Sequence, residues 1–363
     1  MPRFSLSRVA QTGLFLFSVG LAMTALRLGY QHSQQARPAP PPGGFAYAAN
    51  AADNTLWIYR YDSGSGWLDF TSTAVKTGSF PAALAHAGDF LYAANAFGAT
   101  LSGWRMDPAN GHLQALPGAP WPAGKGGARL LVSPVSRTLY ASSTSSGQLN
   151  AWHMAADGGL SPLPGSPYAA AMAPAGLAII GNTLFVAGAT GISRRPLGSD
   201  GSPGAEADNT PAPGATDLTT TPDGHYLLAC LHDSNQLAVW RVADNGALTP
   251  LPGSPYAAGS HPASVRVDAS GHYIYVANED SNNLSAWHLD DTGLRPIAGQ
   301  PFATGKTPHT ISLSPDSHYL YTSNSGDKTL SGFRIDPASG QLQEIPDSPT
   351  ATGYGPADLL FVQ

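Results

Sequence analysis

The sequence has one cysteine, Cys230, in 363 residues. It cannot form an intramolecular disulfide and lacks the Cys/His spacing of a metal site, so it reads as a small buried apolar residue. Charge is scarce too. Asp, Glu, Lys and Arg make up 12% of the chain, and the formal net charge is −6. No Lys/Arg cluster or stripe occurs, which argues against a nucleic-acid partner, and the acidity is too mild to imply a polycation. Room for ordinary helices is also missing, because 41 Gly and 32 Pro punctuate the chain. Several catalytic signatures are absent. There is no Gly-x-Ser-x-Gly elbow, and Gly124–Gly127 lacks the spacing and hydroxyl of a phosphate-binding loop. No His/Asp/Glu cluster has metal-ligand spacing. Neither a metal nor a cofactor is expected.

What the chain does have is a repeat. The clearest copy runs from His261 to Leu289, HPASVRVDASGHYIYVANEDSNNLSAWHL. It reads as three short strands separated by polar turns. Aligned on the middle strand, the copies centre on Tyr47, Tyr92, Tyr140, Phe185, Leu228, Tyr275 and Tyr321, at intervals of 43 to 48 residues. A period in the forties with several strands per unit marks a β-propeller blade. The third strand carries an aromatic, at Tyr59, Trp104, Trp152, Trp240, Trp287 and Phe333. The fourth copy has Arg195 there instead and is degenerate. A Pro-rich fourth segment such as Leu248-Thr-Pro-Leu-Pro follows, and Pro suits an outer edge strand. The spacing therefore predicts an all-β, seven-bladed propeller of four antiparallel strands per blade over residues 45–363.

Residues 1–28 read as an export signal or signal anchor, with Arg3 and Arg8 before an uncharged run ending at Leu26. Its orientation would place the remainder outside the cytoplasm, in the periplasm or tethered to the inner membrane. Residues 29–44 form a polar, then Pro-rich linker. The first copy lacks its leading strand, and Gly355–Val362 resembles the leading strands of the other copies. The C-terminal strand should therefore complete the first blade and close the ring.

The unit Pro, then SPDG-HY-LY-x-x-N, T-L-S-x-W and G-x-L-x-P-L-P-G-S-P-Y resembles the seven-bladed lactonase family, which includes the bacterial propeller-type 6-phosphogluconolactonases. The Tyr-x-x-Asn elements at Tyr47, Tyr92, Tyr275 and Tyr321 are also similar to YVTN-type repeats of exported propellers. The resemblance implies a lactone hydrolase and covers residues 45–363.

In a four-stranded blade, the loops between strands two and three share one face with the starts of the first strands, around the central channel. His225, His272 and His318 fall in turns of the opposite face and read as structural. The channel face collects His232 and Asp233, Asn278, Glu279 and Asp280, and His261 and His309. Asp and Asn there can simply shape turns; Glu279 is a poor turn former. Asn278-Glu279 matches the family's Asn-Glu, so the resemblance implies an acid/base role for Glu279, with His261 or His309 polarising the carbonyl. His232, Asp233, Asn278 and Asp280 are substrate-binding candidates. The family's Pro-Arg-His is replaced by Pro262-Ala-Ser264 and Pro308-His-Thr310, so the obvious anchor for a phosphate or carboxylate is missing there. Arg129 and Arg266 are the arginines of first strands, and Arg129 joins the substrate-binding candidates. Two functions follow: a monomeric lactonase acting on a small-molecule lactone, or a non-catalytic envelope module binding a protein, peptide or glycan.

Overall fold

A computed structural model describes residues 43–170 and 173–363. The expected export signal and nearly all of the expected linker lie outside these residues. The described chain forms seven antiparallel sheets, each with a four-strand path, and its regular elements are all strands. Blade 6 shows the unit. Its first strand, Pro262–Val267, pairs with Tyr273–Asn278, which pairs with Asn283–Asp290, which pairs with Gly293–Pro296. The outer edge is more divided than the sequence suggests. In five blades a two-residue strand, here Phe302–Ala303, also pairs with the third strand, beside the short fourth one.

Closure occurs as the offset repeat predicts. Pro356–Val362 pairs with Phe45–Asn50 and becomes the innermost strand of blade 1. Its apolar run is divided between two neighbours. Leu359 and Phe361 are buried between blades 7 and 1, while Leu360 and Val362 pack between blades 1 and 2. The core as a whole follows this logic: seven apolar clusters, one in each blade–blade interface. The third-strand aromatic is a principal filler of these interfaces. Trp152, for example, packs with Tyr92 and Leu101 of the preceding blade.

The repeated tyrosine has a second task. Tyr47 donates its hydroxyl to the Gly111 carbonyl of the next blade at 3.0 Å, Tyr92 to Gly158 at 2.8 Å and Tyr275 to Gly340 at 2.8 Å. Tyr140 and Tyr321 do the same to Gly201 and Gly66. Each bond ties one blade to the turn between strands three and four of its neighbour. The glycine is required by geometry. Gly111 has φ +73°, and a Cβ there would meet the Phe45 ring at 2.5 Å. Phe185 and Leu228 carry no hydroxyl, so blades 4 and 5 make no such bond.

The Asn of Tyr-x-x-Asn closes the hairpin beside the channel face. Asn95 donates to Thr100 and Ser102, and Asn324 to Thr329 and Ser331, at 2.9–3.0 Å. This accounts for Thr-Leu-Ser recurring five residues later. Cys230 is fully buried and free, as its sequence context indicates.

Replacing Tyr275 by Phe should keep the packing but strand the buried Gly340 carbonyl, at about 1–3 kcal/mol. Equilibrium denaturation measures this, and an unchanged midpoint would show that the inter-blade bond contributes nothing.

Candidate functional site

Two backbone features place side chains at the channel mouth. In six of the seven blades the residue just before the first strand adopts a left-handed conformation, which Gly126, Gly214 and Gly355 accept without strain. In blade 6 that residue is His261, at φ +51°. A non-glycine residue in this region costs on the order of 1–2 kcal/mol. The turn is held by Asn235 of blade 5, whose side chain accepts the His261 N–H at 2.8 Å. The second feature is a β-bulge at the start of the first strand, where the register slips between Pro308 and Thr310. The unpaired residue is His309. Bulges re-aim side chains beside functional sites, and here the bulge puts an imidazole at the mouth.

The loops between strands two and three bring carboxylates to meet these imidazoles. Glu279 Oε1 accepts from His309 Nδ1 at 2.5 Å, and its Oε2 lies 3.7 Å from His232 Nε2. His232 Nδ1 pairs with Asp233 at 3.0 Å, and His261 Nδ1 with Asp280 at 2.6 Å. The His232 and His261 rings stack at 4.4 Å and 9°. Six of the sequence candidates, from blades 5, 6 and 7, thus form one cluster. Each imidazole has its Nδ1 on a carboxylate. Glu279 is 19% exposed and His309 44%, so the carboxylate sits behind the ring and the ring faces solvent. Burial pushes the Glu279 carboxyl up, but its bond to His309 and the nearby His232 outweigh this and leave it lowered.

Turn shaping holds for some of the acids and not for others. Asp53 accepts Thr55 and the Tyr354 N–H, and so shapes its turn. Asp233 and Asp280 instead direct their carboxylates to imidazoles. Asn278 stands apart from the cluster. It is fully buried, donates to Asn283 and Ser285 at 2.9 Å, and accepts the Gly259 N–H. No polar atom of it is left for a ligand, so it is a hairpin clip like Asn95.

Arg129 is held apart from Glu279, inside the channel. Its Nε lies 2.9 Å from Asp217 Oδ1, and Arg266 Nη1 lies 2.8 Å from Asp217 Oδ2. The sequence reading did not select Asp217. Its signal is positional: an Asp in a first strand, level with Arg129, Ser264, Thr310 and Asp358 by register. Residues at this level serve the inner edge of the next blade. Asp217 accepts Val265 N–H, Ser264 accepts Ile311 N–H, and Asp358 accepts Leu84 N–H. Burial raises the Asp217 carboxyl, but Arg129 and Arg266 outweigh it and hold it at about 2. Burial wins at Asp358, whose carboxyl is raised despite Arg129.

Elsewhere, a cleft of about 550 Å³ opens on the opposite face, between blades 2 and 3. Its charged residues are Asp89 and Arg137, and Arg137 is already bound to the Met154 and Ala155 carbonyls. It holds none of the site candidates. Among the described residues, no group of three or more His, Cys, Asp or Glu is arranged to hold a metal ion.

The Asp217 pairing predicts a pH dependence. The folded carboxyl is depressed, so its stabilisation is complete above the ordinary value of about 3.8 and is lost as pH falls towards about 2. Asp217→Asn should remove that acid-side loss. It should also cost about 3–5 kcal/mol at neutral pH, by leaving two arginines without their counter-ion. Denaturation curves between pH 2 and 7 for both proteins test this.

The sequence matches the family described as Lactonase, 7-bladed beta-propeller, over residues 39–126 and 126–362. Among curated proteins none matches. Three solved structures share the fold. One is the periplasmic gluconolactonase PpgL of Pseudomonas aeruginosa, with TM-score 0.77 and 20% identity over 88% of this chain and 99% of that one. Another is a proposed 6-phosphogluconolactonase of Bacteroides fragilis, with TM-score 0.76 and 18% identity over 90% and 100%. A Lactobacillus plantarum protein gives TM-score 0.75 and 19% identity over 88% and 99%. With the closed seven-blade ring and a match spanning nearly all of residues 39–362, the chain belongs to the seven-bladed β-propeller lactonase family.

Proposed function

We propose that the domain opens a lactone by hydrolysis at the channel mouth, with His309 as the base and Glu279 as the group that orients it. The observation that carries this is the Nδ1 pairing of His309 to a half-buried carboxylate, with the ring exposed on its other side. A carboxylate on Nδ1 fixes the tautomer whose Nε2 can accept a proton, the logic by which an acid orients a catalytic histidine. Glu279 is a poorer base than the sequence alone suggests, because its carboxyl is lowered and one oxygen is already bound.

In this reading His309 Nε2 removes a proton from water as the water oxygen bonds to the lactone carbonyl carbon. His261 acts in this reading as the doubly protonated ring, with Nδ1–H on Asp280 and Nε2–H donating to the developing oxyanion. The ring C–O bond then breaks, the proton held on His309 passes to the leaving oxygen, and the product is a hydroxy acid. His232 and Asp233 border the same space and contact the substrate. The substrate is a small molecule, and the reaction involves no cofactor. Export rests on residues 1–28 and on the periplasmic location named for the Pseudomonas aeruginosa relative.

One observation favours a second reading, a binding module of the envelope. The channel face also exposes Phe97, stacked on Phe80 at 4.3 Å, and Tyr354 beneath the Lys328 amine. Such aromatics suit a protein or glycan ligand.

Turnover across lactones separates the readings. Glu279→Gln and His309→Gln should each lower kcat by about 100- to 10,000-fold, with His272→Ala, on the opposite face, near wild type. Full activity of Glu279→Gln would remove this assignment, and inertness towards every lactone would favour the binding module.

A further inference from the structure

Two arginines from distant blades meet one residue below the mouth. Arg129 of blade 3 lies level with Asp217, and Thr310 of that level directly follows His309, about 3.3 Å of strand rise away. Arg129 reaches blade 5 past blade 4, where Gly176 faces the Asp217 backbone. A Cβ at Gly176 would lie 2.6 Å from Leu218 N and 3.0 Å from Asp217 Cα. Glycine is therefore required there by the close approach of blade 4 to the blade 5 backbone. Arg266 comes from blade 6 to the other oxygen of the same carboxylate.

This gives two cations on one carboxylate. Asp358, the other acid of the level, takes the Leu84 and Leu359 N–H groups at 2.8 and 2.9 Å and hydrogen-bonds neither arginine. Arg129 uses Nε on Asp217; Arg266 uses Nη1 on Asp217 and the Val265 carbonyl. Their remaining N–H donors have no protein acceptor among the described residues. The side chains are 15% and 28% exposed, so those donors face the channel and not packed protein. Ala83, Gly176, Ser264 and Thr310 leave the rest of the level lined by small side chains.

We propose that Arg129 and Arg266 form an anion subsite beneath the imidazoles, so that the lactone opened at the mouth carries a carboxylate of its own. The inference rests on the hydrolase reading for its substrate, but the anion subsite stands on the arginines alone. Two guanidiniums fixed by a shared aspartate present planar donor pairs that match a carboxylate. Neutral sugar lactones would leave these donors to water. A substrate of the aldaric-acid lactone class would place its free carboxylate on the arginines and its ring carbonyl at the mouth.

The test uses the full chain and two lactones, D-glucaro-1,4-lactone, which is anionic, and D-glucono-1,5-lactone, which is neutral. Wild type should favour the anionic lactone at least tenfold in kcat/KM, and Arg266→Met should reduce that ratio at least tenfold. Arg266→Lys, which keeps the charge without the planar fork, should fall between. A wild-type preference for the neutral lactone, or a ratio unmoved by Arg266→Met, overturns the proposal. Calorimetry with D-glucarate gives a readout independent of turnover. Binding weakened at least tenfold by Arg266→Met and by added salt supports the subsite, even if both lactones prove inert and the hydrolase reading falls. Equal binding by both proteins, or none by wild type, overturns it.

Discussion

The molecule depends on how one blade is held against the next, because no single core exists to hold it together. Every interface has an apolar cluster, and five of the seven add a directional bond, the tyrosine hydroxyl reaching a glycine carbonyl one blade on. Burial supplies most of the free energy, at about 25 cal/mol per Å² of apolar surface. The tyrosine bond adds register, since a blade rotated or slid against its neighbour would leave a buried carbonyl unpaired. Closure by Pro356–Val362 makes the sequence of interfaces a ring, so that every innermost strand faces another across a shared channel.

The candidate site gathers where the repeat departs from its own pattern. Most copies place Gly, Ala or a small polar residue around the mouth. Blade 6 puts His261 where three copies have glycine, and blade 7 puts His309 in a bulge that blade 6 fills with Ala263. The loop of blade 6 carries Glu279 and Asp280, so one hairpin supplies carboxylates to rings on both sides. Blade 4 departs most, with Phe185 for tyrosine and Arg195 for the aromatic. It also contributes a short innermost strand, Leu177–Ile180. Its Gly176 packs closely on the backbone of Asp217, the residue that Arg129 reaches from blade 3.

The period in the forties and the offset C-terminal strand were sufficient to define the ring, because local alternation and turn residues repeat seven times and reinforce one another. The mouth cluster was legible because topology alone sorts loops to one face or the other. Roles within it were less so. Which nitrogen of His309 meets Glu279, and which acids shape turns, depend on side-chain geometry that spacing does not encode. Asp53 and Asp280 lie in corresponding loops, one position apart, yet one accepts a backbone N–H and the other pairs with an imidazole. Asn278 looked available beside Glu279 and is buried, because the same Tyr-x-x-Asn that marks the repeat needs its amide for the hairpin. Asp217 was invisible for the opposite reason. Its partners lie 88 and 49 residues away, and only ring closure makes them neighbours.

The central claim is that the imidazole–carboxylate cluster at the channel mouth is where a lactone binds and reacts. A crystal structure with a non-hydrolysable lactam analogue of an aldonolactone tests it most directly. The account predicts the lactam carbonyl carbon facing His309 Nε2, with its oxygen towards His261 Nε2. An analogue bound in the cleft between blades 2 and 3, or on the channel face away from His309, would contradict it.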